Sequence, residues 1–487
     1  MAEYARVISF VLDNQVVTID FNGNNALKPS TTVLNYLRSF ETHKGVKEGC
    51  AEGDCGACTV VLAETDCRGN LEYKSFNSCL LFLPMLHGRQ LITVENLARE
   101  VNGKQQLHPV QQAMVEAGGS QCGYCTPGFI MSLFALYKKH RNPTRETIKN
   151  ALTGNLCRCT GYRPIIDAAA KACAGEDHDA FTKNSEMVID LLNSINQNKQ
   201  TLELKGRDQL YLKPFTLEEA LLLRKKYPEA LIVNGSTDAA LLQTKKNIHL
   251  PQILDISAVN DLKFTVEDHR QLAIGAGVSL QEVLEFCRTR MPVLADMLAV
   301  FGSLQIRNLA TLGGNIGSAS PIGDSLPVLI ASESKIRLAD TEGWREMTVE
   351  NFITGYRKTA IRPDEIITFI IIPKPRSGEI IKSYKISKRR DLDISSVSAG
   401  FKLKINKKGI IEKALLVYGG MAEMTKRASS AELFLTGKSW TRSNAEEAAR
   451  LTENEFSPIS DARAEAGTRK IMARNLLIKF YEETSEV

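Results

Sequence analysis

No stretch of the 487-residue chain approaches about 18 consecutive apolar residues, so no membrane-spanning helix and no membrane partner are expected. The opening MAEYARVISFVLDNQ lacks an apolar core of signal-peptide length, which makes a cytoplasmic protein the expectation. Neither sign of charge dominates. A net charge of +5, spread along the length, forms no basic stripe and gives no case for nucleic acid. Internal repeats and low-complexity tracts are missing too. The chain is too long for one ordinary core, so three or four domains are expected.

Cysteine is absent between positions 174 and 260 although the chain holds 11 of them. They are concentrated elsewhere, and eight fall into two groups. In a reducing compartment disulfides are not expected. Clustered thiols there point to metal or redox chemistry.

Residues 1–92 read as a small mixed α/β unit. ARVISFVLDNQVVTIDF alternates with period two around a polar Asp13–Asn14 turn. STTVLNYLRSF reads as a helix capped by Ser30 or Thr31, with Val33, Leu34 and Leu37 on one face. Two further strands are expected around 58–62 and 91–94. Residues 93–174 turn helical. PVQQAMVEAG, TPGFIMSLFALYKKH (Thr126 as cap, Pro127 first in the helix), PTRETIKNAL and RPIIDAAAKAC suggest a bundle of four short helices. Residues 175–208 are polar and read as a linker with at most one short helix. From 209 to 380 strands alternate with helices and glycine-rich turns. From 381 to 487 a sheet is followed by helices.

The first thiol group is CAEGDCGACTVVLAETDC, starting at Cys50. Cys50, Cys55 and Cys58 have the C-x4-C-x2-C spacing of plant-type [2Fe–2S] ferredoxins, which needs one more distant cysteine. Cys79 in FNSCLLFLP is the natural fourth. Four thiolates on two irons leave excess negative charge, and backbone N–H groups aimed at the sulfurs stabilise it. Gly53 and Gly56 let the backbone come close. Cys67 is spare and is expected in a hairpin. Zinc or plain buried thiols are the competing readings; zinc sites usually show paired C-x2–4-C knuckles instead. The second group is Cys122-x2-Cys125 in QCGYCTPG and Cys157-x-Cys159 in NLCRCTGYRP. Each pair stands at a helix boundary, where N–H donors and helix dipole favour an anionic cluster. Alone this set also suits zinc; its place after a ferredoxin-like site favours iron–sulfur. Cys173 and Cys287 read as small core residues.

These segments, GCAEGDCGACTV, NSCL, QCGYCTPGFIMS and TGNLCRCTGYRPI, resemble the iron–sulfur half of the molybdenum hydroxylases, the xanthine dehydrogenase family. The resemblance implies one [2Fe–2S] cluster on Cys50, Cys55, Cys58 and Cys79 in a ferredoxin-like β-grasp domain. It implies a second on Cys122, Cys125, Cys157 and Cys159 in an all-helical domain. It also implies that Gln121 lies close to a molybdopterin cofactor held by a large partner.

Two later segments suit a dinucleotide. ALIVNGSTDAALL reads strand, tight turn, helix, and Asn234, Gly235, Ser236 and Thr237 would offer consecutive N–H groups and two hydroxyls as a pyrophosphate cradle. An ordinary βα turn looks similar. FGSLQIRNLATLGGNIGSASPIGDSLPVLIA reads as one long irregular loop, a form that is usually functional or disordered. Its fixed charge is Asp324, a ribose or ring-nitrogen acceptor or else a turn cap. LAIGAGVSL has Gly275-x-Gly277 but Leu280 where the third glycine of a Rossmann fingerprint belongs, so no Rossmann site is expected.

These segments, too, resemble the xanthine dehydrogenase family, here its FAD domain of the vanillyl-alcohol-oxidase type followed by a C-terminal α+β flavoprotein domain. The resemblance implies that Ile232, Val233, Asn234, Gly235, Ser236, Thr237, Asp238 and Ala239 hold the FAD pyrophosphate. It implies that Thr311, Leu312, Gly313, Gly314 and Asn315 form a second FAD loop. Phe301 then packs near the flavin, Asp324 contacts FAD, and Ile394 and Lys413 touch it. Lys388, Arg389 and Arg390 read either as a solvated run or as steering charges for phosphates.

An α+β multidomain chain is thus expected to relay electrons through two [2Fe–2S] clusters and FAD to NAD. No side chain here is expected to act as acid–base catalyst. The sequence ends at Val487 with no substrate-oxidising domain, so the resemblance implies a separate large molybdopterin-binding subunit oxidising hypoxanthine or xanthine, in an α2β2 heterotetramer. Oxidation of an aldehyde or N-heterocycle by the partner, and a stand-alone flavin–iron–sulfur carrier, are the alternatives.

Overall fold

The computed structural model describes residues 4–22, 27–175, 179–197 and 199–485. They group into two compact units, one of residues 1–223, 229–258 and 303–310, the other of 224–228, 259–302 and 311–487.

The first unit opens with the expected hairpin, Val7–Leu12 against Gln15–Asp20. Asp13 and Asn14 both take positive φ, 53° and 59°, the backbone a two-residue hairpin turn needs. The five-stranded sheet runs Gln15–Asp20, Val7–Leu12, Gln90–Ile92, Thr59–Thr65, Leu71–Asn77. Leu71–Asn77 is a strand the alternation did not reveal. The helix Val33–Arg38 buries Val33, Leu34 and Leu37. Its cap is Thr32, whose hydroxyl accepts from the Asn35 N–H at 3.2 Å; Ser30 and Thr31 lie outside the helix, and the Thr31 hydroxyl instead accepts from the Lys28 N–H.

The four helices are Pro109–Glu116, Thr126–Lys139, Arg145–Leu152 and Arg163–Ala172. Thr126 is the first helical residue and Cys125 holds the cap position, so the expected threonine cap moves back by one. Every residue from Gly128 to Tyr137 in the second helix is buried, because its neighbours surround it.

The polar segment after position 175 is more ordered than its composition suggests. It carries helices Ala180–Lys183 and Ser185–Asn196 and the strand Leu202–Gly206; residues 176–178 and 198, which belong to the expected linker, lie outside the described residues. Val188 and Leu192, one helical turn apart, pack with Val11. Asp179 fastens the segment's start. Its carboxylate lies 3.0 Å from His108 Nε2 and 3.1 Å from Lys138 Nζ, and it accepts from the Thr182 N–H. Burial pushes this carboxyl up, but the bonds from His108, Thr182 and Lys138 outweigh burial and hold it well below the usual carboxylate range. The stabilisation is therefore present above the unfolded value near 3.9 and lost as pH falls through the folded one. Hydrogen exchange of 180–196 is expected to accelerate as pH is lowered from about 5 toward 2, beyond the intrinsic rate change. In Asp179→Asn the extra acceleration should disappear; its persistence would refute this origin.

A four-stranded sheet completes the first unit, in the order Leu231–Val233, Gln252–Asp255, Gln209–Lys213, Leu202–Gly206.

The second unit holds a five-stranded antiparallel sheet in the order Thr265–Glu267, Gln271–Gly275, Ile366–Pro373, Lys335–Ala339, Trp344–Thr348. Gln271–Gly275 leads into the Gly275-x-Gly277 turn, yet both of its neighbours are antiparallel, so no βαβ dinucleotide unit exists there. It also holds the antiparallel sheet Glu379–Ile386, Val397–Ile405, Ile411–Gly419, Lys426–Arg427, covered by helices Ser429–Leu435, Arg442–Glu455 and Ala466–Glu482. Phe401, Tyr418, Phe456 and Phe480 fill its core.

Candidate functional site

The register of one hairpin builds half of the first thiol set. Thr59 pairs with Asn77, so the residues just beyond that pair come together, and Cys58 Sγ lies 3.4 Å from Cys79 Sγ. Both are buried. Cys50 and Cys55 form the other pair through a side-chain hydrogen bond. The loop carrying them turns through positive φ at Ala51 (54°), Gly53 (85°) and Gly56 (70°). That alternation aims the N–H groups of Glu52, Asp54 and Cys55 at Cys50 Sγ, at 3.5, 3.3 and 3.3 Å. Asn77 Nδ2 donates to the Gly53 carbonyl at 2.7 Å and steadies the loop. The bond from Cys55 brings the Cys50 thiol down to about 5, against the opposing effect of burial and with help from the loop N–H groups. As the donor, Cys55 is driven well up. Cys58 is likewise held down by Cys79, and Cys79 pushed up by Cys58. Among the described residues no three His, Cys, Asp or Glu side chains gather so as to hold a single metal ion. Cys58 and Cys79 meet as a pair, and a diiron core takes two thiolates on each iron. This donor set fits [2Fe–2S].

The second set lies on the helical part. Cys125 occupies the cap position of Thr126–Lys139, and Cys157 and Cys159 precede Arg163–Ala172. Cys125 faces Cys157, and Cys159 faces Cys122. The N–H and hydroxyl of Thr160 both donate to Cys157 Sγ, at 3.4 and 3.2 Å. Burial raises the Cys157 thiol, but these two bonds bring it below its ordinary value. Burial and Cys157 together push Cys125 up to about 12. Cys122 and Cys159 are exposed, as are Gln121 and Tyr124 beside them. Cys67 is exposed in the turn between Thr59–Thr65 and Leu71–Asn77, apart from both sets.

The flavin candidates divide between the units. In the first, Asn234 to Asp238 link strand Leu231–Val233 to helix Ala239–Thr244, the expected strand–turn–helix. Ser236 has φ 53°, and its hydroxyl donates to the Leu80 carbonyl. Of the two hydroxyls expected for a cradle, that of Ser236 is thus engaged by the protein. In the second unit the expected irregular loop is broken into short helices, Leu312–Gly317 and Ser325–Ala331. Thr311 caps the first of these through the Gly314 N–H at 3.1 Å, and Asn315 Oδ1 accepts from Ser325 Oγ at 2.6 Å. Asp324 is buried and pairs with Lys385 Nζ at 3.0 Å and Ser395 Oγ at 2.5 Å. Its side chain makes no cap bond, so the turn-cap reading fails. Lys385 also donates to the Val300 carbonyl beside Phe301. Ile394 is exposed next to Ser395. Lys413 is not brought into this group. It pairs with Glu333, near the start of strand Ile411–Gly419, while the far end of that strand adjoins Pro321 by way of Gly420. The strand rise separates those ends by roughly 20 Å. Lys388 donates to the Ala462 carbonyl and Arg389 pairs with Asp393.

Three residues with no spacing signal are bound up with the thiol loops: Ser132, Asn155 and Gln305. Only a fold that places Gln305 against residues 150 positions earlier could reveal them.

Donor-rich thiol loops fit an iron–sulfur protein, and comparison with known proteins adds the flavin. Residues 93–170 match the [2Fe–2S] binding domain, 202–375 the FAD binding domain in molybdopterin dehydrogenase, and 382–484 the CO dehydrogenase flavoprotein C-terminal domain. The xanthine dehydrogenase/oxidase of Gallus gallus is 31% identical over 98% of the chain and 40% of that protein. The xanthine dehydrogenase of Calliphora vicina is 32% identical over 98% of the chain and 38% of that protein. Carbon monoxide dehydrogenase of Hydrogenophaga pseudoflava shares the fold, with TM-score 0.53 at 22% identity over 55% of the chain and 94% of that structure's chain. Quinoline 2-oxidoreductase of Pseudomonas putida 86 does so with TM-score 0.52 at 22% identity over 57% and 96%. The chain belongs to the molybdenum hydroxylase family and carries its iron–sulfur and FAD domains. It spans about two-fifths of the length of the xanthine dehydrogenases it matches. No helix among the described residues is long and apolar enough to cross a membrane.

Proposed function

We propose that this chain is the electron-transfer subunit of a cytoplasmic xanthine dehydrogenase. In this reading it passes electrons from hypoxanthine or xanthine, oxidised on a separate molybdopterin-binding subunit, to NAD in an α2β2 assembly. The observation that carries it is the gathering of eight cysteines into two sets of four, with Cys58 meeting Cys79 at 3.4 Å in the first, in a chain that aligns over 98% of its length with xanthine dehydrogenases. Two [2Fe–2S] clusters and FAD, when bound, supply one-electron steps and the conversion to two-electron transfer. The protein's part is to hold and tune. Cys50, Cys55, Cys58 and Cys79 hold one cluster, with the N–H groups of Glu52, Asp54 and Cys55 lowering the charge on sulfur. Cys122, Cys125, Cys157 and Cys159 hold the other, with Thr160 donating to Cys157. The turn 234–238, the capped helix Leu312–Gly317 and Asp324 with its Lys385 partner serve FAD. Exposed Cys122, Tyr124 and Cys159 leave the second loop open to the molybdenum partner.

The test is purification of this chain from native extract with whatever binds it. A larger molybdenum-containing chain, two iron–sulfur signals and xanthine-dependent reduction of NAD are expected. Turnover of an aldehyde or an N-heterocycle but not xanthine would remove the substrate assignment. Zinc in place of iron and sulfide would remove the electron-transfer assignment as well.

A further inference from the structure

The first thiol loop and the second are joined by more than chain continuity. The Leu156 N–H, next to Cys157, donates to the carbonyl of Cys55 at 3.0 Å. Alongside this bond lies Asn155, 2% exposed, with all four of its hydrogen-bonding positions engaged. Its Nδ2 donates to the Gly56 carbonyl and to Thr59 Oγ1, both at 3.1 Å. Its Oδ1 accepts from Ser132 Oγ at 2.6 Å and from Gln305 Nε2 at 3.0 Å. Gln305 is wholly buried and donates to Ser132 Oγ as well, at 2.9 Å. Its own Oε1 is buried without a hydrogen-bond partner, so its orientation is set by the two donor bonds toward Ser132 and Asn155. There is no slack in the packing. A Cβ on Gly128 would sit 2.2 Å from the Gly56 carbonyl oxygen, and one on Gly154 would sit 2.1 Å from Gln305 Oε1. The segment bearing Gln305 is pinned on both sides, by Arg307 to Asn150 Oδ1 at 2.7 Å and by Asn308 to the Ser75 carbonyl at 3.0 Å.

A buried hub with every hydrogen-bonding position engaged, as Asn155 is, permits one arrangement of the groups it joins. We propose that Asn155, oriented by Ser132 and Gln305, is a positioning residue that fixes the two thiol loops at the separation and contact that electronic coupling between their clusters requires. This rests on the two-cluster reading above. Gln305 arrives from a segment far along the chain, so the coupling is completed only when residues 303–310 have docked. No bond is made or broken in the step served; one electron leaves one centre and enters the other. The residues act through geometry, to which transfer is steeply sensitive.

The test uses the full chain loaded with iron and sulfide. Gln305→Met keeps the side-chain volume and removes the donor; Ser132→Ala removes the other donor to Asn155; Asn155→Ala removes the hub. The readouts are the magnetic splitting between the two reduced clusters in electron paramagnetic resonance and the inter-cluster electron-exchange rate. Iron content and melting temperature are recorded alongside. Each variant is expected to keep both signals but lose splitting, with exchange slowed on the order of tenfold. Variants that bind the same iron and show unchanged splitting and exchange would overturn the proposal, even if they melt earlier, because a purely structural role lowers stability alone. If Asn155→Ala fails to fold, the two milder variants decide. A wild-type protein without two iron–sulfur signals would instead overturn the two-cluster reading.

Discussion

Cys79→Ala should abolish one of the two iron–sulfur signals, halve the bound iron, and lower xanthine-dependent NAD reduction by at least about a hundredfold. Cys79 is buried on the far side of a hairpin from the other thiols of its set and meets Cys58 at 3.4 Å. Alanine leaves Cys58 without its mate, so one iron loses half of its protein ligation. No neighbouring thiol replaces it, since Cys67 is exposed in its own turn and Cys173 and Cys287 belong to other cores. Loss of a link in a series of carriers stops the flow rather than trimming it, which is why the effect is large. Cys67→Ala is the matched control and should leave iron, spectra and rate unchanged. Iron analysis and electron paramagnetic resonance read the outcome independently of activity. Unaltered spectra in Cys79→Ala would mean that the fourth ligand lies elsewhere.

Lys213→Met is expected to destabilise the first unit by about 3–5 kcal/mol, seen as a lower urea midpoint for its unfolding. Asp255 is completely buried, and Lys213 Nζ lies 2.8 Å from its Oδ2. The Tyr211 hydroxyl donates to the same oxygen at 2.8 Å, and the Ser257 N–H to Oδ1 at 2.9 Å. Burial drives the Lys213 ammonium down and Asp255 partly restores it; burial opposes the Asp255 charge, and Lys213 with Ser257 brings that carboxyl below its ordinary value. Removing the lysine leaves a carboxylate in the interior with hydroxyl and amide donors but no counter-charge. The double variant Lys213→Met/Asp255→Leu should recover part of the loss, because an apolar pair replaces an ion pair at modest cost. Recovery stays incomplete because Tyr211 and Ser257 lose their acceptor. If Lys213→Met shifted the midpoint no more than an exposed lysine variant, the buried pair would not be a determinant of stability.

Much of the molecule was legible in local pattern. The hairpin at Asp13–Asn14 and the four helices between 109 and 172, three with proline in the first turn and one capped by Thr144, follow from short-range periodicity and capping chemistry. Spacing alone gathered the thiols into two groups, because the members of each lie at short, fixed intervals on tight loops. Other expectations were displaced by packing, among them these. The helix cap moved from Ser30 or Thr31 to Thr32, since the Thr31 hydroxyl is held by the Lys28 N–H. The long loop after Phe301 became short helices started by Ser303 and Thr311, whose hydroxyls cap only because the backbone there is extended. Ser236 gave its hydroxyl to the carbonyl of Leu80, in the bend after strand Leu71–Asn77 and remote in sequence.

The grouping of the thiols and most of the helices were therefore legible in spacing and periodicity, properties confined to a few neighbouring positions. Which thiols meet, and what holds one loop against the other, emerged only on folding. Cys58 reaches Cys79 through strand register, and Asn155 reaches Gln305 across 150 residues of chain. Such contacts leave no local trace, because a buried amide or serine reads like any other until the partners that satisfy it have been brought into place.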